Sequence, residues 1–156
     1  MPRLLPSFRR MRTTLLASEG NAAMEFGILA PMLATIFVPL VDLGMGFYQK
    51  MQVENAAQAG VQYAMAHGWN STAIQNAVTA ATSLSSLTAS PAPSQSCGCP
   101  AGEAVTAATC GSTCAGGQSV GTYVTVSAQV VYRTLVPYPA IGSSLTLSAQ
   151  STARIQ

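Results

Sequence analysis

Read along the chain, the pattern of apolar and polar positions changes three times. From Phe26 to Phe47 the sequence is an almost unbroken apolar run of 22 residues. As a helix at ~1.5 Å per residue it would extend ~33 Å, the thickness of a hydrocarbon core. A secretory h-region is shorter and ends in a small-residue cleavage site, so the run reads as a retained anchor. The helical pattern then continues through residues 49–66. Val53, Ala57, Gly60, Val61 and Ala64 recur at three- and four-residue spacing and predict a small-residue packing face, with His67-Gly68 as the stop. A second helix is predicted from Ser71 to Ser83, capped by Asn70 or Ser71, with Ile74, Ala77, Val78 and Ala81 inward. In the last third the period falls to two. Val120, Thr122, Val124, Val126, Ala128, Val130 and Tyr132 alternate with more polar neighbours, Pro137 and Pro139 break the run, and Leu145, Leu147 and Ala149 resume it. Two strands alone are marginal in water, so the expectation is an antiparallel β pair packed on the outer part of the long helix.

Between these patterned regions, Ser83 to Gln118 is rich in Ser, Thr, Ala, Gly and Pro and reads as a loop. It holds all four cysteines: Cys97, Cys99, Cys110 and Cys114. A core-poor segment with an even cysteine count outside the cytoplasm reads as stapled by two disulfides. The C-x-C and C-x3-C spacings differ from the paired C-x2-C of common zinc sites, which places bridges ahead of a metal. Cys97 and Cys99 are too close to pair with each other. Two connectivities remain, and the nested one, Cys97 with Cys114 and Cys99 with Cys110, is preferred.

Charge changes the picture through its distribution. Charged residues are only 8% of the chain, and Arg3, Arg9, Arg10 and Arg12 are four of the seven basic ones. No basic residue follows until Lys50. By the positive-inside rule the N-terminus is cytoplasmic and everything past Tyr48 is exported. Loss of residues 1–20 would leave three basic against four acidic side chains, so no basic patch for nucleic acid survives. Lys50 and Glu54 are spaced to pair along one helix face. His67 is the only histidine, with no nucleophile or acid near it in sequence, and reads as a surface or cap residue; Trp69 reads as a packing anchor. With one His, no nucleophile motif and no phosphate-binding Gly loop, an enzyme is not expected, and neither is a cofactor or metal.

Within the apolar run, Pro31 and Pro39 leave the carbonyls of Gly27 and Thr35 without their helical donors, which should weaken the helix there. Asp42 lies near its outer end and is expected to be solvated or to snorkel to the interface. Glu25 is one turn inside the start, where a carboxylate favours the helix macrodipole, and it lies five residues after Gly20.

Gly20-Asn21-Ala22-Ala23-Met24-Glu25-Phe26, the following Gly27-Ile28-Leu29-Ala30-Pro31-Met32-Leu33, Val41-Asp42-Leu43-Gly44 and Val53-Glu54-Asn55-Ala56-Ala57-Gln58-Ala59-Gly60 together resemble the TadE-like pseudopilin family of bacterial tight-adherence (Flp) pilus assembly. The resemblance covers about residues 18–66. It implies cleavage after Gly20 by a prepilin peptidase, with Gly20, Asn21, Glu25 and Phe26 as the processing motif. By analogy with pilins, Glu25 would act in processing or pair with a neighbour's new N-terminal amine. The expected fold is α+β: a leader at 1–20, a transmembrane helix at 21–48, a periplasmic helical extension with a short helix at 49–83, a cysteine loop at 84–118 and a β region at 119–156. The implied function is a minor pilin-like component, anchored by a single pass in the inner membrane with its C-terminal domain periplasmic. It would assemble with other pilin or pseudopilin subunits by lateral packing of the N-terminal helix. The alternatives are a minor pilin of a type IV pilus or type II secretion system, which usually carries Phe or Met right after the cleaved Gly where this chain has Asn21, and a signal-anchored periplasmic binding or metal module built on residues 97–114.

Overall fold

Small and β-branched residues beyond Tyr48 are arranged so that a helix can lie close against a twisted sheet. A computed structural model describes residues 19–102, 104–139 and 142–156, with side chains from residue 22 onward in the first of these stretches. The four leader arginines and Glu103 lie outside the described residues. Element order is α1 (Glu19–His67), α2 (Ser71–Ala80), β1 (Ser94–Ala101), β2 (Ala104–Ala107), β3 (Gly121–Tyr138) and β4 (Gly142–Arg154), an α+β chain as expected. It divides into two units, residues 1–42 and residues 43–156.

The first unit is helical over its described part. α1 is assigned without a break through Pro31 and Pro39. The second unit contains the rest of α1, which ends where Gly68 takes a left-handed φ of 80° and its N–H reaches Ala64 O at 2.9 Å, the usual glycine solution to a helix C-terminus. Asn70 caps α2, its Oδ1 accepting from Ala73 N at 3.0 Å. α2 stops at Ala80, short of the expected Ser83. Ala81 is therefore a C-cap whose N–H reaches Val78 O, and it is exposed, not inward.

The expected β3–β4 pair forms, with Ala128 opposite Ala149 and Val130 opposite Leu147. It belongs to a larger sheet of order β2-β1-β3-β4, antiparallel throughout. The additional strands come from the segment expected to be loop. Residues Ser94–Ala101 and Ala104–Ala107 form a tight hairpin in which Ala101 faces Ala104 and Gly102 takes φ +64°, a conformation that glycine adopts at no steric cost.

One core serves this unit. Val53, Ala56, Ala57, Val61 and Ala64 of α1 meet Ile74 and Val78 of α2, Leu87, and Val124, Val126, Ala128, Val130 and Tyr132 of β3. The predicted small-residue face of α1 is buried along its length. Its smallest member has a specific reason: a β-carbon on Gly60 would sit 2.6 Å from Val78 Cγ2 and 2.8 Å from Val126 Cγ1. Only glycine lets α1, α2 and β3 converge there. Further along, Gly46 lies against the Tyr132 ring, which a β-carbon would touch at 3.5 Å.

Candidate functional site

The N-terminal motif and the apolar helix that follows it are the first candidate. The Gly20–Asn21 peptide bond lies in the first turn of α1, and the side chains of these two residues lie outside the described set. Glu25 and Phe26 are both solvent-facing, Phe26 at 68% exposure. From Ala22 to Val41, side chains are exposed around the whole helix, with only Ala30 partly covered. Ile28, Leu33, Phe37 and Leu40 are among them. Monomeric soluble proteins rarely expose contiguous apolar surface on this scale. Fully burying one such side chain is worth about 1.5–3 kcal/mol, so this helix gains strongly from any apolar surroundings supplied by lipid or by other helices. It is long and apolar enough to cross a membrane, and in this it fits a single-pass membrane protein.

Asp42 departs from the expectation of a solvated carboxylate. It is buried, at 1% exposure, and among the described residues Ser127 is the other buried polar one. Nothing in its sequence surroundings marks it apart from an interfacial acid. Lys50 and Glu54 do pair, Nζ to Oε1 at 3.3 Å, with both side chains substantially exposed. Such a pair contributes a few tenths of a kcal/mol at most. The same ammonium also donates to the backbone carbonyl of Ser148 on β4. With Gln58 and residues Ser148–Ser151 the pair lines an open polar groove of about 370 Å³. His67 stacks on Tyr63 with ring centroids 4.4 Å apart and is exposed.

The cysteine segment is the second candidate. The pairs are Cys97–Cys110 and Cys99–Cys114, with Cα separations of 5.2 and 5.8 Å, inside the usual range for disulfides. The pairing is crossed, so the preferred nested connectivity is wrong. The hairpin explains why. β2 returns antiparallel to β1, placing Thr106 opposite Cys99 and Ala107 opposite Gly98, and Ala108 N donates to Cys97 O at 3.0 Å. The outgoing chain thus reaches the level of Cys97 with Cys110 only two residues away. A turn in which Ser112 N reaches Thr109 O then reverses it, and Cys114 comes back to Cys99. Cys97 and Cys99 project from the same face of β1, as residues two apart on a strand must. Gly98 between them faces the other way, where a β-carbon would press within 2.8 Å of Thr106 O. Reading 84–118 as a loop hid this register, although the Gly102 turn signal was in the sequence. Among the described residues no group of His, Cys, Asp or Glu is arranged to hold a metal ion.

No curated protein and no solved structure matches the chain. Residues 20–62 match the family model described as TadE-like protein, which starts at the Gly20 of the proposed processing motif and ends inside the small-residue face, so the long helix carries the signature of the TadE-like family that its motifs resemble.

Proposed function

We propose that this protein is a minor pilin-like component of a bacterial tight-adherence pilus assembly system, working as a structural subunit and not as an enzyme. The observation that carries the reading is the TadE-like match over residues 20–62 on a helix whose apolar side chains from Ala22 to Val41 are left uncovered by the described chain. Such a helix is suited to a membrane before assembly and to lateral packing against other pilin or pseudopilin helices afterwards. In this reading a prepilin peptidase removes residues 1–20, the basic leader stays cytoplasmic, and residues 49–156 are exported to the periplasm. The two disulfides fit that oxidising compartment. The new α-amine at Asn21 would be costly once helices pack away from water. Glu25, one turn on, is placed to offset it on a neighbouring subunit. A minor role is favoured because residues 43–156 form a folded unit of their own, more than a bare packing helix requires.

N-terminal sequencing of the protein from cells carrying the peptidase tests the proposal. It should begin at Asn21, and Gly20→Ala should leave the full-length chain. Glu25→Ala should enter the membrane normally and fail in pilus assembly. An intact Met1 start, or normal piliation with Glu25→Ala, would count against the assignment.

A further inference from the structure

β4 is the last strand of the sheet, so one of its two sides has no strand beside it. Which backbone groups look outward follows from its partner. Gln129 of β3 spends both its N–H and its carbonyl on Thr88, each at 2.9 Å. Gln129 and Ser148, which lie opposite one another, are therefore a pair not bonded to each other, and Ser148 points its N–H and carbonyl away from β3. By the two-residue alternation of an antiparallel strand, so do Ser144, Thr146, Gln150 and Thr152. Pairing with β3 is regular from Arg133–Ser144 to Tyr123–Arg154, so no bulge interrupts this outward row.

Exposed edges are normally blunted by short length, proline, bulges, charge or a covering element. β4 has 13 residues, and from Gly142 to Ala153 it contains no proline and no charged side chain. Nor does α1 close over the edge. The open groove of about 370 Å³ runs between them, with Lys50, Glu54 and Gln58 on one wall and Ser148–Ser151 on the other. Among the described residues one protective device remains. Lys50 Nζ donates to the Ser148 carbonyl in the middle of the row, and Glu54 Oε1 holds the same ammonium at 3.3 Å. A Lys–Glu pair on a helix surface needs no third group. Here the third group is an acceptor that an added strand would require.

We propose that Lys50 guards the β4 edge: held by Glu54, its ammonium occupies the Ser148 carbonyl and keeps the β4 segment of a second copy from adding to the sheet. A second copy is the occupant because its β4 segment brings no charge and no proline against this edge. In an antiparallel register with Ser148 opposite Gln150 of the added segment, the outward groups of both strands meet as hydrogen-bonded pairs. Thr146 then falls opposite Thr152, and Ala149 meets its own counterpart, too small to obstruct. An added strand lies ~4.8 Å from the edge, in the place the ammonium takes, and must displace that charge or bury it away from water. In the proposed function, copies gather in one membrane before assembly, and a newly exported copy meets folded ones while its own strands are unpaired. Such a chain, not yet folded past its anchor, presents the segment in either direction, and an unguarded edge turns that meeting into aggregation. The benefit of the guard rests on that reading; the edge and the contact that covers it do not.

The test uses the full chain in detergent and a fluorescein-labelled peptide of residues 143–153, read by fluorescence anisotropy, with circular dichroism to check the fold of each variant. The peptide lacks α1, so it reports the edge apart from any association of the apolar helix, and independently of the N-terminal sequencing that tests the function. Lys50→Met keeps the apolar stem and removes the charge, and it should bind the peptide at least about tenfold more tightly than the parent. Glu54→Gln, which releases the ammonium, should give a smaller rise. Adding Gln150→Lys to Lys50→Met puts a lysine back on the edge and should return binding to the parental level. A peptide with Ser148→Pro should bind none of them. Equal affinity of the unmodified peptide for the parent, Lys50→Met and Glu54→Gln overturns the proposal. So does tight binding that survives the proline in the peptide, which would place it on another surface.

Discussion

Replacing Gly60 with alanine tests how α1 meets the sheet. The added β-carbon would be 2.6 Å from Val78 Cγ2 and 2.8 Å from Val126 Cγ1, with Ile74 Cγ2 at 3.5 Å. The first two distances are about an ångström inside the ~3.5–4.0 Å optimum for carbon pairs. Both valines are fully buried and stiff about χ1, so neither can swing a methyl out into space. The helix, α2 and β3 must move apart instead. Overpacking by one methyl in a filled core costs about 1–3 kcal/mol, whereas Ala in place of Gly in a helix gains about 1 kcal/mol. The net expectation is a loss of up to about 2 kcal/mol. Urea unfolding of the full chain in detergent, disulfides intact and followed by circular dichroism, reads it. Gly44→Ala, which meets nothing within 4 Å, is the comparison that should not destabilise. The cause is separated from mere perturbation by a cycle with Val126→Ala. If the methyl clash is responsible, the double variant is more stable than the sum of the singles predicts, by a coupling of about 0.5–3 kcal/mol. A Gly60→Ala protein more stable than its parent, or strictly additive effects in the cycle, would refute the reasoning.

Four further outcomes follow from other parts of the chain. Peptide mapping under non-reducing conditions with stepwise reduction should find Cys97 linked to Cys110 and Cys99 to Cys114; a Cys97–Cys114 peptide would contradict the hairpin register. Removing either bridge as a Cys pair to Ser should cost about 3 kcal/mol, the size given by a closed loop of this length, as read by the same urea titration. Asn70→Ala removes the Oδ1 that accepts from Ala73 N and should cost about 1 kcal/mol, with Asn70→Ser recovering most of it. A reporter fused after Gln156 should be active only if it functions outside the cytoplasm, and cytoplasmic activity would reverse the topology proposed above.

Where a pattern is carried by neighbouring residues, it was legible in the sequence. The face Val53, Ala57, Gly60, Val61 and Ala64 is buried as its spacing predicts, and so are Ile74 and Val78 of α2 and Val124, Val126, Ala128 and Val130 of β3. What could not be read depends on distant parts of the chain meeting. β1 is Ser-Gln-Ser-Cys-Gly-Cys-Pro-Ala, a composition with no apolar alternation, and it is a strand because β3 offers Gly121–Thr125 as an edge and two disulfides hold it there. Its own propensity would not suffice. The crossed pairing followed from that unseen register. The helix end was a smaller miss: Thr82 takes a local hydrogen bond, its Oγ1 accepting from Leu84 N, and such local competition ends α2 early.

The two halves of α1 also differ in the size of the residues they use, and the difference is informative about partners. Between Val53 and Ala64 the buried positions are Val, Ala and Gly, small because the opposing surface is a fixed sheet and second helix whose Val78 and Val126 leave no room at Gly60. Between Met24 and Val41 the exposed positions include many Met, Phe, Ile, Leu and Val beside smaller ones such as Gly27, Ala34 and Thr35, and the large side chains have nothing of fixed shape among the described residues to fit against. Close packing against a rigid surface demands small residues and definite rotamers, while a deformable environment, acyl chains or helices that slide past one another, rewards bulk and tolerates many arrangements. A helix that meant to bury both halves against its own domain would show the same small-residue period throughout. In the proposed function, the end of that period near the membrane-length part leaves the N-terminal half as the surface for lipid or other subunits, so substitutions there should alter insertion and assembly while those at Gly60 alter folding.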